Sequence, residues 1–273
     1  MKKIKKRFLD TSFYKVVNLI KKNLNIYLYT IVIDLTFLAL VILIGKFLGS
    51  LIPRDPQQLM GFFKTQLNLL LFVFIYPVFY YLFVIFLYSI AKLAILNMIK
   101  PLYEKHKFTL KGLGKFYLLN ILLFAIFFSI FLAFTGISAL LLKDNILKYV
   151  VAILSLILFF FAYSVTNIAH TLFIKNRRNR VIRNTFRIAF RKITKYGTFK
   201  IWNTFLIITY IVIYNIVNLV VRLTVSLNQE ALTPYVPLYL KLFNIASIIF
   251  IYLVVAFNRI YFYEKISNKN VLP

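Results

Sequence analysis

The chain has no cysteine. Disulfides, thiolate nucleophiles and cysteine-ligated zinc are therefore excluded. Acids are scarce as well: seven Asp and Glu in 273 residues leave little for catalysis by paired carboxylates. The two histidines, His106 and His170, have no carboxylate cluster beside them, which argues against a metal site. Glycine is also sparse, and no phosphate-binding glycine loop is present. Only 15% of the residues are charged, where a soluble domain carries about 25%.

What is there is apolar. The chain is 62% hydrophobic, and a helix needs roughly 20 apolar residues to cross a hydrocarbon core. Six runs qualify. Ile26 to Leu51 is interrupted only by Asp34 and Lys46. Thr65 to Ala91, Phe116 to Leu142 and Tyr149 to Ile174 carry no charge. Ile201 to Val221 is the fifth run, and Leu242 to Asn258, starting near Pro237, is the sixth. Little chain is left for a soluble module. The expected fold is an all-α, polytopic membrane helical bundle of about six transmembrane helices, a single domain over residues 1–273. Met1–Arg7 is basic, but no short apolar core with a cleavage site follows, so it does not read as a cleaved signal peptide.

The net charge is +27. Part of the Lys and Phe content is consistent with an AT-rich genome, and in a membrane protein Lys and Arg set orientation before anything else. The N-terminal segment carries eight basic residues, the second–third connection six, the fourth–fifth connection ten and the C-terminus three. The remaining three connections share seven. This bias places both termini in the cytoplasm and makes the plasma membrane the expected location. Membrane lipids, with anionic headgroups at the cytoplasmic leaflet, are the expected partners. Nucleic acid is not favoured, and no cofactor is implied.

Two cytoplasmic segments have helical periodicity. Phe13, Val16, Val17, Ile20 and Leu24 form one apolar stripe. Ile182, Phe186, Ala189, Phe190 and Ile193 form another, opposite a basic stripe of Arg180, Arg183, Arg187, Arg191 and Lys195. Such helices lie in a membrane interface, with Phe186 and Phe190 toward acyl chains and the basic stripe on anionic headgroups.

The two segments also align with each other, from Ser12-Phe13 and Thr185-Phe186 onward. A weaker third copy begins at Thr109, where Gly112 and Gly114 disfavour helix. Tyr88-Ser89-Ile90-Ala91-Lys92 aligns with Tyr163-Ser164-Val165-Thr166-Asn167, and Val255 to Ile260 sits at the corresponding end of the sixth run. A threefold repeat follows as an expectation, with units near 8–100, 101–176 and 177–268.

A basic amphipathic segment feeding each odd span, as in Ser12–Lys22 and Arg180–Lys200, resembles the uncharacterised six-helix prokaryotic membrane proteins related to the membrane domain of glycerophosphodiester phosphodiesterases. The resemblance implies a helical bundle at the lipid surface. It implies no catalytic residue, because the phosphodiesterase chemistry belongs to a soluble barrel that this chain lacks.

Asp34 stands out among the intramembrane residues. Counting from Asn25 at 1.5 Å per residue puts it about 13 Å inside the cytoplasmic boundary, where a carboxylate must find a partner. Lys92 has a similar depth, counted back from Lys100, and Arg259 is shallower. Lys92 is thus the expected partner and Arg259 the alternative. The pair would be architectural, or part of a proton- or cation-coupled site; Thr30 and Thr36 are the other possible hydrogen-bond partners. Pro77 should kink the second span, and Trp202 and Tyr196 fit an interfacial belt. Gly136-Ile137-Ser138 with His170 faintly resembles a serine nucleophile and base, but the topology puts them at opposite ends of their spans. The chain is therefore expected not to be an enzyme. Two functions compete. One is a lipid-interacting or permease-like bundle. The other is a scaffold or biogenesis factor whose basic face docks a ribosome, nucleic acid or acidic protein.

Overall fold

The computed structural model describes residues 12–50, 61, 63, 65–104, 108–141, 144–175, 181–192, 210, 212–221, 223–224 and 233–267. The description is all-helical. In chain order the helices are α1 (Ser12–Lys22), α2 (Leu24–Ser50), α3 (Gln66–Ile99), α4 (Leu113–Leu141), α5 (Asp144–Lys175), α6 (Val181–Lys192), α7 (Val212–Val221) and α8 (Val236–Ser267). Five of them, α2, α3, α4, α5 and α8, are long and apolar enough to cross a membrane. The fifth expected span is described only from Tyr210 onward, and its helical part is α7; Trp202 and Tyr196 lie outside the described residues.

Helix lengths divide the molecule into two layers. α3 has 34 residues, about 51 Å at 1.5 Å per residue, against a hydrocarbon core of about 30 Å. Its most apolar 18 residues contain none that is buried, so they precede Ile85, the first buried residue of the helix. The most apolar stretch of α5 likewise precedes Val165. In this open layer apolar side chains face outward all round, with Phe74 70% and Leu140 87% exposed. That composition is stable only against lipid or another apolar surface.

Beyond it, α3, α5 and α8 continue into a closed layer at the lysine- and arginine-rich end of the molecule. Leu93, Ile95, Leu96 and Ile99 of α3 are buried there. They pack with Phe116 and Leu119 of α4, Ile168 and Leu172 of α5, and Ile260 and Phe262 of α8. The charge-free runs therefore cover the open layer and, in α4 and α5, part of the closed one, while α3 and α8 run on past theirs. The helices outlast them because the following residues, polar ones included, are buried in a packed core.

The two amphipathic segments belong to this closed layer. In α1, Val16 is buried and the Phe13 ring lies 5.3 Å from that of Phe257, while Lys15, Lys21 and Lys22 face out. In α6, Thr185 and Ala189 are buried, and Phe190 packs on Phe127 (6.5 Å) and Phe161 (5.9 Å). Phe190 is thus turned to the bundle and not only to acyl chains. The side chain of Phe186 lies outside the described residues.

The third copy of the amphipathic segment is replaced by a turn. Thr109 Oγ1 accepts from the Lys111 amide at 3.1 Å, and Gly112 has φ +95°. Only glycine adopts that conformation without strain, so α4 starts at Leu113 with no helix before it. Pro77 lies inside α3, which continues as one helix on both sides. In the open layer Gly45 of α2 lets α3 approach: a Cβ there would meet the Tyr80 hydroxyl at 3.1 Å.

Candidate functional site

Where the two layers meet, ionisable side chains from α2, α3, α5 and α8 are buried together. Asp34 is 6% and Arg259 5% exposed. The Arg259 guanidinium grips the carboxylate with both terminal nitrogens: Nη2 donates to Oδ1 at 2.9 Å and Nη1 donates to Oδ2. This planar fork is a geometry that lysine lacks. The approach of α2 to α8 is fixed nearby, where the Tyr27 hydroxyl donates to the Leu253 carbonyl at 2.7 Å. Thr30 donates to the Tyr27 carbonyl of its own helix at 2.8 Å and not to Asp34.

The first-choice partner, Lys92, makes no ion pair among the described residues. It is 4% exposed, and its Nζ sits 5.9 Å from the centroid of the Tyr88 ring. Counts from Asn25 and Lys100 put Asp34 and Lys92 at one level, but neither residue marks the edge of the open layer. Only two of the three buried residues of α2 fall in its most apolar 18 residues. That stretch therefore starts at Ile31, and Asp34 lies about 5 Å into it. Asp34 is thus at the edge of the open layer, beside Arg259. Lys92 lies further into the closed layer, about 12 Å along α3 beyond Val84.

A second polar chain runs from α3 through α4 to α5. Ser89 Oγ donates to the Ile85 carbonyl at 2.7 Å and accepts from Asn120 Nδ2 at 2.8 Å. Asn120 Oδ1 faces His170 Nε2 at 2.6 Å. The His170 ring is packed between Phe116 (4.8 Å) and Tyr88 (6.0 Å). His170 thus hydrogen-bonds within the bundle. Ser138 is remote from it: Phe116 touches His170, and Ser138 lies 22 residues further along α4, about 33 Å away. No serine–histidine pair forms.

The basic end of the closed layer is tied by aromatic and polar contacts. Tyr103 stacks on Tyr263 at 4.9 Å and its hydroxyl donates to the Ile260 carbonyl at 3.4 Å. Lys175 Nζ lies 5.3 Å from the Tyr263 ring centroid, and Lys100 Nζ donates to the Ile174 carbonyl at 3.4 Å. Burial, then the charge of Glu264, pushes the Tyr103 phenol well above its ordinary value. It stays neutral throughout the physiological range.

Of the expected lipid-contact residues, Arg183 and Arg187 are exposed on α6. Arg180 and Lys195 lie outside the described residues, as does the side chain of Arg191, and His106 lies outside them too. Asn120 and Ser89 were not among the residues singled out from sequence as site candidates. Their signal was there, since Asn120 is the one amide within a charge-free run otherwise built of apolar and hydroxyl residues. Among the described residues no group of three or more His, Cys, Asp or Glu could hold a metal ion. Compared with protein-family models, curated proteins and solved structures, the chain matches none.

Proposed function

We propose that the protein is a lipid-interacting bundle of the plasma membrane, with both termini cytoplasmic and its closed layer at the inner leaflet, engaging anionic lipid. One observation carries this reading: the buried residues where the layers meet hold two basic side chains, Lys92 and Arg259, against the single carboxylate of Asp34. A bundle that buries more basic than acidic side chains at headgroup level is suited to an anionic headgroup, whose charge would hold Lys92 protonated. The exposed Arg183 and Arg187 extend the same charge onto the surface of α6. No catalytic role is assigned.

The test is the thermal stability of the full chain in nanodiscs. A lipid that binds the folded state raises its unfolding temperature. Phosphatidylglycerol should raise it above the value in phosphatidylcholine, and R183Q/R187Q should reduce the difference. Equal stability in both lipids would overturn the reading. The outward arginines also favour a second reading, a scaffold that presents this face to an acidic partner. That protein would retain no anionic lipid yet lose its partner on the same substitutions.

A further inference from the structure

Two buried basic side chains, Lys92 and His170, lie near Tyr88. Lys92 makes no ion pair among the described residues, and its Nζ lies 5.9 Å from the centroid of the Tyr88 ring. Its helical side chain leans toward the N-terminus of α3, which here is toward the open layer. The His170 ring lies 6.0 Å from the same ring.

The hydrogen bonds around His170 fix its tautomer. The Ser89 hydroxyl gives its proton to Ile85, so it accepts from the Asn120 amide nitrogen. The Asn120 oxygen is left facing Nε2 of His170. An amide oxygen only accepts, so Nε2 must carry the proton. Nδ1 is then a bare acceptor, and it is buried with no hydrogen-bond partner. A buried unsatisfied group of this kind calls for an explanation. The site therefore offers a lysine without an ion pair among the described residues and an acceptor that needs a donor.

We propose that Tyr88, Lys92 and His170 form a binding site for a phosphate ester carrying a neighbouring hydroxyl. The phosphate oxygens accept from Lys92 Nζ and the hydroxyl donates to His170 Nδ1. A carboxylate, or a phosphodiester without a hydroxyl, satisfies Lys92 and leaves Nδ1 bare. A neutral polyol satisfies Nδ1 and leaves Lys92 uncompensated. Phosphatidylglycerol in the inner leaflet meets both demands, and so does soluble glycerol phosphate. The proposal rests on the anionic-lipid reading and narrows it to one headgroup class.

The test uses the full chain in phosphatidylcholine nanodiscs, doped with phosphatidylglycerol or with phosphatidylethanol, an anionic phosphodiester lacking the hydroxyl. Phosphatidylglycerol should bind about tenfold more tightly, the value of one added hydrogen bond to a buried acceptor. K92Q should weaken both lipids, and H170F should lower phosphatidylglycerol to the level of phosphatidylethanol.

A measurement on the unaltered site guards against misfolded variants. In 15N-histidine-labelled protein carrying H106Q, the Nδ1 resonance of His170 should move with phosphatidylglycerol and stay put with phosphatidylethanol. A shift of the same resonance by soluble sn-glycerol 3-phosphate in undoped discs supports the site and makes the soluble ester its occupant. Equal binding of the two anionic lipids, an unmoved Nδ1, or undiminished binding by a folded K92Q overturns the site. Equal binding that still exceeds phosphatidylcholine leaves the anionic-lipid reading standing. Binding no better than phosphatidylcholine removes both.

Discussion

Arg259 of α8 reaches Asp34 of α2 and holds both of its carboxylate oxygens, joining helices 225 positions apart in the chain. Each side chain is almost wholly buried. Removing one partner strands the other, at a cost of about 3–5 kcal/mol, whereas removing both restores much of the loss. Asp34→Asn and Arg259→Met should each lower the unfolding temperature in detergent sharply, and the double variant should recover most of it. Lys92→Met should couple more weakly to Asp34→Asn, because Lys92 makes no ion pair with it. A folded double variant that loses activity in a growth or flux assay would make Asp34 part of a coupling site.

The Ser89–Asn120–His170 chain predicts a different response. Asn120→Leu leaves the Ser89 hydroxyl without its donor and His170 Nε2 without its acceptor. Destabilisation should be about 1–3 kcal/mol for each buried group left unpaired. Asn120→Leu combined with Ser89→Ala should cost less than the sum of the two single changes. Strict additivity in equilibrium unfolding would show that the chain is not a unit.

On α6 the two faces should separate. Phe190→Ala removes a ring packed on Phe127 and Phe161 and should destabilise the protein by about 1–3 kcal/mol, below the 3–5 kcal/mol of a fully buried phenylalanine. R183Q/R187Q should leave the unfolding temperature in phosphatidylcholine unchanged, because exposed charges contribute little to stability. Loss of stability there would mean that the arginines are packed against the bundle.

Topology is directly accessible because single cysteines can be introduced into a chain that has none. Cysteines at Arg54, Asp144 and Glu230 should react with an impermeant reagent added outside the cell. Finding any two of them protected and cytoplasmic would overturn the orientation.

The apolar part of this fold was legible because a charge-free run of bilayer length has few alternatives to a membrane helix. The runs Phe116–Leu142 and Tyr149–Ile174 differ from α4 and α5 by only a few residues at each end. The closed layer was not legible in the same way. The charge-free run ends at Ala91, yet Lys92, Asn97 and Lys100 are buried by neighbouring helices, and α3 continues to Ile99. The ion pair was half legible: a carboxylate in an apolar run demands a cation, but choosing Arg259 over Lys92 needs the level of each residue to within about 5 Å. Residue counting cannot supply that when helices outrun the bilayer. The α4 start turned on one backbone angle at Gly112, which the glycines foreshadowed.

The central claim is that the basic end of this bundle engages anionic lipid at the inner leaflet. Native mass spectrometry of the full chain, released from nanodiscs of equal phosphatidylcholine and phosphatidylglycerol, tests it most directly. The account predicts that the retained lipids are enriched in phosphatidylglycerol, and that a folded K92Q/R183Q/R187Q variant loses the enrichment. Lipids retained in the same proportion as in the disc, with and without those substitutions, would contradict it.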